Sequence, residues 1–140
     1  MSSPQKHRLI ALDTDRRTLH DVCELAKVWY EVMPTYDPRQ AMAWLQSETE
    51  VSIFVTAQVD ATFDGMSLLD KVRTMWPDVR RIVMTDFCDL GRIVGGLHNG
   101  VIQKLVQKPL QRYEFLAAIA ATEAQLAQLT PAAKLTRVAG

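Results

Sequence analysis

Short apolar runs alternate with longer amphipathic segments five times along this chain of 140 residues. The first run contains no polar residue, which is typical of a strand that helices cover on both faces. The five runs are Leu9–Leu12, Val32–Tyr36, Val51–Thr56, Arg81–Thr85 and Ile102–Gln107. Strands that alternate with helical segments indicate βα units, so the pattern predicts an α/β domain with a parallel sheet.

The segments between the runs place apolar residues three and four positions apart, which is the period of an amphipathic helix. The first of these carries apolar residues from Leu19 to Trp29, and Asp15 or Thr14 is its candidate N-cap. The last three predicted helices are Asp64–Met75, Leu90–His98 and Arg112–Leu129.

The second strand contains a proline, Pro34, which narrows the choice of topology. Proline cannot donate a ladder hydrogen bond and therefore belongs on an edge strand. The strand order 2-1-3-4-5 of a flavodoxin-like three-layer sandwich places the second strand at an edge, and we predict this order. Asp37 and Pro38 then supply a capping carboxylate and a first-turn proline for the second helix.

The fourth predicted helix carries three glycines, Gly91, Gly95 and Gly96. Each interior glycine costs about 1 kcal/mol relative to alanine, so this helix is predicted to be the softest element of the fold. The glycines mark either a mobile signalling face or a place of close helix packing. Asn99 and Gly100 predict a left-handed helix stop.

Composition narrows the function classes. Sixteen basic and sixteen acidic side chains cancel, so we expect no attraction to nucleic acid or to an anionic membrane. No apolar run approaches the roughly 18 residues of a membrane span. Cys23 and Cys88 do not have the spacing of metal ligands, and we predict that both are reduced thiols. Because reduced thiols are typical of the cytoplasm, we expect a cytoplasmic protein. Residues 1–130 are predicted to form one domain, followed by a short tail, 131–140.

Candidate chemistry lies where the predicted strands end. Asp13 follows the first strand, Thr85 ends the fourth, and Lys108 with Pro109 follows the fifth. The third strand ends at Ala57, where no side-chain oxygen is available. Because the carboxyl ends of parallel strands meet at one edge of the sheet, these residues are expected to lie together.

These residues, in this order and spacing, resemble the response-regulator receiver domain of two-component signal transduction, over about Arg8 to Gln128. The paired Asp64 and Gly65, seven residues beyond the phosphoacceptor position, belong to the same pattern. The resemblance makes Ala57 the counterpart of the phosphoacceptor aspartate. It therefore implies a receiver that is degenerate at the position where phosphorylation would occur.

The resemblance also implies which functional parts are altered. Family members bind magnesium through two acids after the first strand and the phosphoacceptor; here Asp13 keeps the first acid and Thr14 replaces the second. Magnesium prefers near-octahedral oxygen ligands, so we expect weak or absent magnesium binding, no metal site and no other cofactor. Thr85 and Lys108 match the residues that hold a phosphoryl oxygen, and we expect Lys108 to pair with Asp13 instead. Leu105 replaces the aromatic residue that usually changes position on phosphorylation.

The function that this implies is a pseudo-receiver that signals by protein–protein contact without aspartyl phosphorylation, outside the chemistry of a phosphorelay and without enzymatic activity. Its partner or output domain is expected at the surface formed by the fourth helix, fifth strand and fifth helix. A homodimer is compatible with the same interpretation. The sequence identifies neither the partner, nor an upstream kinase, nor the output pathway.

Haloacid-dehalogenase-like phosphatases offer an alternative, because they also place an acid-x-acid pair after the first strand. Asp13 would then be the nucleophile, Asp15 the general acid, and Thr85 and Lys108 the phosphate ligands. Against this reading, Thr18 lies five residues after Asp13 where that motif expects four. The chain also lacks a late acidic pair and a cap domain.

Two further alternatives concern the space around Ala57. Asp60, three residues later, or Asp15 would be a substitute phosphoacceptor, although Asp60 reads more simply as a solvated loop carboxylate. A small-ligand sensor that uses the space left beside Ala57 is the other alternative.

Overall fold

The computed structural model describes residues 6–47, 50–58, 62–86 and 90–127, with the backbone alone for 124–127. Over these residues the chain forms five strands and five helices that alternate. The strands are β1 (His7–Leu12), β2 (Tyr30–Thr35), β3 (Ile53–Ala57), β4 (Arg80–Thr85) and β5 (Lys104–Gln107). The helices are α1 (Arg16–Ala26), α2 (Pro38–Gln46), α3 (Gly65–Met75), α4 (Leu90–Asn99) and α5 (Arg112–Ala127).

All strands pair in parallel, in the order β2-β1-β3-β4-β5, as the sequence pattern predicts. The proline prediction is confirmed, because Pro34 lies on the edge strand β2 with an exposed side chain. Asp37 accepts a hydrogen bond from the Arg39 amide and caps α2, with Pro38 in the first turn. The fold is thus the predicted flavodoxin-like sandwich.

Alternate residues of each strand contribute to two separate cores, one on each face of the sheet. Leu9 and Ala11 of β1 pack with the helices α1 and α5, whereas Ile10 and Leu12 pack with α2, α3 and α4. Phe115 of α5 is completely buried in the first core. This two-sided burial is the reason that the strands read as continuous apolar runs.

The strand boundaries differ from the prediction by at most two residues. The largest shift that a hydrogen bond explains is at β5, which begins at Lys104 and not at Ile102. The Ile102 amide donates to the Gly96 carbonyl of α4, so it is used in closing the helix and not in the sheet ladder. The predicted α5 extends to Leu129; the structure describes it to Ala127, and the remainder lies outside the described residues.

The end of α4 follows the predicted stop, since Gly100 adopts a positive φ of 83° and the Val101 amide donates to the Asn99 side chain. The surroundings of two of the three glycines of α4 differ. A Cβ at Gly95 would meet nothing within 4 Å, whereas one at Gly96 would lie 2.8 Å from Met66 Cε and 3.3 Å from Ile102 Cγ1. Gly96 therefore permits close packing of α4, and packing does not require Gly95.

We expect Gly95→Ala to stabilise the protein by about 0.5–1 kcal/mol, because alanine is the better helix former and the added methyl has room. Gly96→Ala should stabilise the protein less than Gly95→Ala, or destabilise it, because Met66 and Ile102 must move to admit the methyl group. Urea-induced unfolding of the two variants measures the difference. Equal stabilisation by both would mean that α4 does not pack tightly against Met66.

Candidate functional site

The carboxyl ends of β1, β3, β4 and β5 bring the predicted residues together at one edge of the sheet. Asp13 directly follows β1, Ala57 and Thr85 are the last residues of β3 and β4, and Lys108 follows β5. Asp13, Ala57 and Thr85 are all buried, and Lys108 is half-buried. The Lys108 amide donates to the Thr85 carbonyl at 2.8 Å, which closes the edge between β4 and β5.

Asp13 and Lys108 form the ion pair that the sequence predicts. Lys108 Nζ lies against Asp13 Oδ2, and Asp13 Oδ1 accepts a hydrogen bond from the Asp15 amide at 2.9 Å. Among the described residues Oδ2 has no aligned hydrogen bond, so its contact with the ammonium is one of charge. The Asp13 side chain is only 2% exposed, and the neighbouring cation therefore compensates a carboxylate that water scarcely reaches.

Asp15 serves α1 and not the pocket. Its side chain accepts hydrogen bonds from the Arg17 amide and the Thr18 hydroxyl at 3.0 and 2.9 Å, which makes it the N-cap. The Thr18 hydrogen bond, with the helix amides and Lys108 adding to it, holds the pKa of Asp15 below its ordinary value despite some desolvation. Thr14, the other candidate cap, is exposed.

This environment argues against the phosphatase reading. A general acid must carry a proton near neutral pH, which requires a raised pKa, whereas the pKa of Asp15 is lowered. The proposed nucleophile, Asp13, is paired with Lys108 within the chain. Asp60, the alternative phosphoacceptor, lies outside the described residues.

The donor set does not suit a resident magnesium ion. Ala57 contributes only a methyl group, and both carboxylate oxygens of Asp13 are engaged by Lys108 and the Asp15 amide. Within the part of the chain that the structure describes, no cluster of three or more His, Cys, Asp or Glu side chains has the arrangement of a metal site. Magnesium prefers several oxygen ligands, including one or two carboxylates, and the described residues of this edge do not present them.

Gln58 is a site residue that the sequence analysis did not identify. The structure buries its side chain, with 3% exposure, and its Oε1 accepts a hydrogen bond from the Thr85 hydroxyl at 2.8 Å. The sequence did contain a signal for this site residue: Gln58 has a long polar side chain and directly follows a buried strand. The Thr85 hydroxyl, which the resemblance assigns to a phosphoryl oxygen, is therefore bonded to a side chain of the same protein.

The Asp64–Gly65 pair has a structural role at the start of α3. Asp64 caps the helix by accepting from the Met66 amide, and the Gly65 amide donates to the Gln58 carbonyl at 2.8 Å. A Cβ at Gly65 would lie only 1.8 Å from the carbonyl oxygen of Ala57. Glycine is thus required here because the helix begins directly against the end of β3.

Asp64 also contacts α4. Arg92 Nη2 donates to both carboxylate oxygens of Asp64, at 3.0 and 2.7 Å. Partial burial raises the pKa of Asp64, but hydrogen bonds from Arg92 and Ser67 outweigh this effect, so the pKa lies below its ordinary value. The pair links the beginning of α3 to α4.

The last two predicted site residues lie along the β5 edge. Leu105 is half-buried and packs against the core formed with α2, α3 and α4. The peptide bond between Lys108 and Pro109 is cis, and Pro109 is exposed. Leu105 thus fills space at the position where the resemblance expects an aromatic side chain.

Two surface grooves of the described residues lie away from Ala57. One, of about 860 Å³, is at the amino ends of the strands and is lined in part by Trp76, Arg80 and Glu123. The other, of about 620 Å³, lies between α1 and α2. No described helix is both long enough and apolar enough to cross a membrane.

Comparison by sequence finds no relative: no protein-family model matches the chain, and no curated protein matches it significantly. Solved structures do match. The signal receiver domain of an HD domain-containing protein from Pseudomonas fluorescens Pf-5 is 24% identical with a TM-score of 0.77. The match covers 87% of this chain and 98% of that one.

A response regulator receiver domain protein (CheY-like) from Methanospirillum hungatei JF-1 has a TM-score of 0.79 at 18% identity, covering 90% of this chain and all of that one. A structure described as adenylate cyclase from Rhodopirellula baltica has a TM-score of 0.83 at 20% identity, with coverage of 94% and 98%. At these identities the likeness concerns the fold. With its strand order and the four strand ends that meet at its site, this chain has the fold of response-regulator receiver domains.

Proposed function

We propose that this chain is a receiver-type signalling module that acts by protein–protein contact and does not depend on aspartyl phosphorylation. The observation that carries the proposal is the state of the site edge. A methyl group stands at the end of β3, and the neighbouring carboxylate is already paired with a lysine from the same chain. The receiver fold supports the signalling role, and the altered site supports independence from phosphate.

Chemistry explains why these changes belong together. Phosphoryl transfer to a protein needs a nucleophilic oxygen and a cation that neutralises the developing charge. Ala57 offers no nucleophile, and the oxygens of Asp13 face Lys108 and a backbone amide in place of a metal. We therefore expect weak or absent magnesium binding at this edge.

Incubation with acetyl phosphate and magnesium, followed by intact-mass measurement, tests the proposal. We expect no stable phosphoryl adduct, because the protein has no oxygen at residue 57 with which to attack phosphorus. The matched control is Thr14→Asp/Ala57→Asp, which restores both missing carboxylates and should bind magnesium in a calorimetric titration where the wild type shows no binding below the millimolar range.

An adduct of one phosphoryl mass on the wild type would contradict the proposal. Its loss in Asp60→Asn or in Asp15→Asn would then identify a substitute acceptor. Tight magnesium binding by the wild type would equally show that Asp13 and its neighbours form a metal site, in conflict with the pairing to Lys108.

The surface formed by α4, β5 and α5 is the proposed contact face. Leu90, Val94 and Leu97 recur at the helical spacing on α4, and all three are exposed, as is Tyr113 on α5. Clustered apolar side chains on a surface mark interaction sites more often than isolated ones do. We propose that a second copy of this chain or another protein domain covers them.

Sedimentation velocity at increasing concentration tests self-association through this face. We expect a concentration-dependent rise in the sedimentation coefficient that Val94→Glu abolishes. Trp29→Glu is the control, because Trp29 is similarly exposed but precedes β2 at the opposite edge of the sheet. A monomer at all concentrations would exclude the homodimer, and equal effects of both variants would exclude this face.

A further inference from the structure

Gln58 connects two elements that border the site. Its backbone amide donates to the Met84 carbonyl of β4 at 3.0 Å, and its carbonyl accepts from the Gly65 amide at the start of α3 at 2.8 Å. Its side chain accepts the hydroxyl hydrogen bond of Thr85 at the end of β4. Gln58 thus binds the end of β4 through its backbone amide and its side chain, and the start of α3 through its backbone carbonyl.

Several described contacts join α4 to α3. Arg92 pairs with Asp64, Gly96 packs over Met66, and Arg73 of α3 donates to the Asn99 carbonyl at 2.7 Å. On α4 itself only Ile93 and Gly96 are buried. The helix therefore has a small core contact. Its described polar contacts join it to α3 and, through the hydrogen bond from the Ile102 amide to the Gly96 carbonyl, to the segment before β5.

The other determinant of the position of α4 is the end of β4, because α4 begins at Leu90, shortly after Thr85. Thr85 is 2% exposed, so its hydroxyl cannot be hydrated freely if its partner is removed. The buried hydrogen bond to Gln58 therefore favours one arrangement of this strand end relative to α3.

We infer that Gln58 is a positioning residue for α4: its carboxamide acts as an internal ligand of the Thr85 hydroxyl and fixes the helix in a single resting position. This inference rests on the proposed function, because it names what holds the signalling face in place when no phosphoryl group does. The apolar face of α4 is then presented continuously. A partner would recognise the protein without prior modification.

Hydrogen exchange read by mass spectrometry tests this inference on phosphate-free protein. Gln58→Met keeps the side-chain length and removes the acceptor, and Thr85→Val keeps the shape and removes the donor. Each should speed amide exchange in residues 90–99 by about tenfold relative to β1 and β3, since the loss of one buried hydrogen bond lowers the free energy of local opening by an amount equivalent to about this factor. Thr85→Ser, which keeps the hydroxyl, should retain the wild-type pattern.

Thr122→Val is the matched control. Thr122 is also fully buried and donates its hydroxyl hydrogen bond to the Ile119 carbonyl, but it lies on α5. Its loss should lower overall stability without a selective effect on residues 90–99. The double variant Gln58→Met/Thr85→Val should exchange no faster in this segment than either single variant, because both remove the same hydrogen bond.

Uniform acceleration along the chain, or unchanged exchange in residues 90–99, would overturn the role of Gln58 and leave the phosphate-independent function standing. A phosphoryl adduct in the mass assay would overturn the proposed function, whatever the exchange pattern. If Gln58→Met does not fold, Gln58→Asn takes its place. The asparagine side chain is still a polar carboxamide, but it is one methylene shorter, which places its oxygen farther from the Thr85 hydroxyl.

Discussion

Replacing Gly65 with alanine is expected to destabilise the protein by about 3 kcal/mol or more, the largest effect among the substitutions considered. The added Cβ would lie 1.8 Å from the Ala57 carbonyl oxygen and 2.8 Å from that of Gln58. Both are backbone atoms, so no side-chain rotation relieves the clash. Helix α3 would have to move away from β3 and lose its first hydrogen bond to Gln58.

Urea-induced unfolding followed by circular dichroism measures this loss, with Gly95→Ala as the control. Both variants add one methyl group to a helix, but at Gly95 that methyl meets open space. A loss below about 1 kcal/mol for Gly65→Ala would show that the start of α3 can shift at little cost. The glycine would then need another explanation.

Lys108→Met is expected to cost about 2–3 kcal/mol at neutral pH, because it leaves the Asp13 carboxylate buried without its cation. This expected loss lies at or below the smallest losses typical of removing one partner from a fully buried ion pair. The reason is that the Lys108 side chain is 21% exposed, so water can partly reach it. Urea-induced unfolding in buffer without divalent cations is the measurement.

The double variant Asp13→Asn/Lys108→Met separates the charge effect from loss of packing. Asparagine keeps an oxygen for the Asp15 amide but carries no charge. We therefore expect the double variant to recover most of the stability that Lys108→Met loses. If the single and double variants lose the same free energy of unfolding, the Asp13 charge is compensated by something other than Lys108.

The site was predictable in part because several of its residues are placed by the strands. Asp13, Thr85 and Lys108 each stand at the carboxyl end of a strand that the apolar pattern identifies. Once the strands are parallel, these ends meet, and opposite charges at Asp13 and Lys108 pair. The pairing was therefore predictable without knowledge of any distance.

Contacts between residues far apart in the chain were not predictable in this way. Arg92 on α4 binds Asp64, and Arg81 donates hydrogen bonds to the carbonyls of Gly100 and Val101. No local period brings such groups together. From the sequence alone, an arginine at the start of a strand is predicted to be exposed, so the burial of Arg81 was not predictable.

The sequence by itself determined the two-sided sheet and its edge. A period of two or of 3.6 residues is a local property, and Pro34 restricts its own strand to an edge because it lacks an amide hydrogen. The sequence alone also determined that residue 57 supplies no nucleophile, since alanine has no side-chain oxygen.

Only the tertiary structure decided what occupies the site in place of that chemistry. The burial of Gln58 and its hydrogen bond to Thr85 depend on how closely β3, β4 and α3 approach one another. The need for glycine at residue 65 depends on the same approach, to within a few tenths of an ångström. Such distances result from the packing of whole elements, and no single segment of the sequence specifies them.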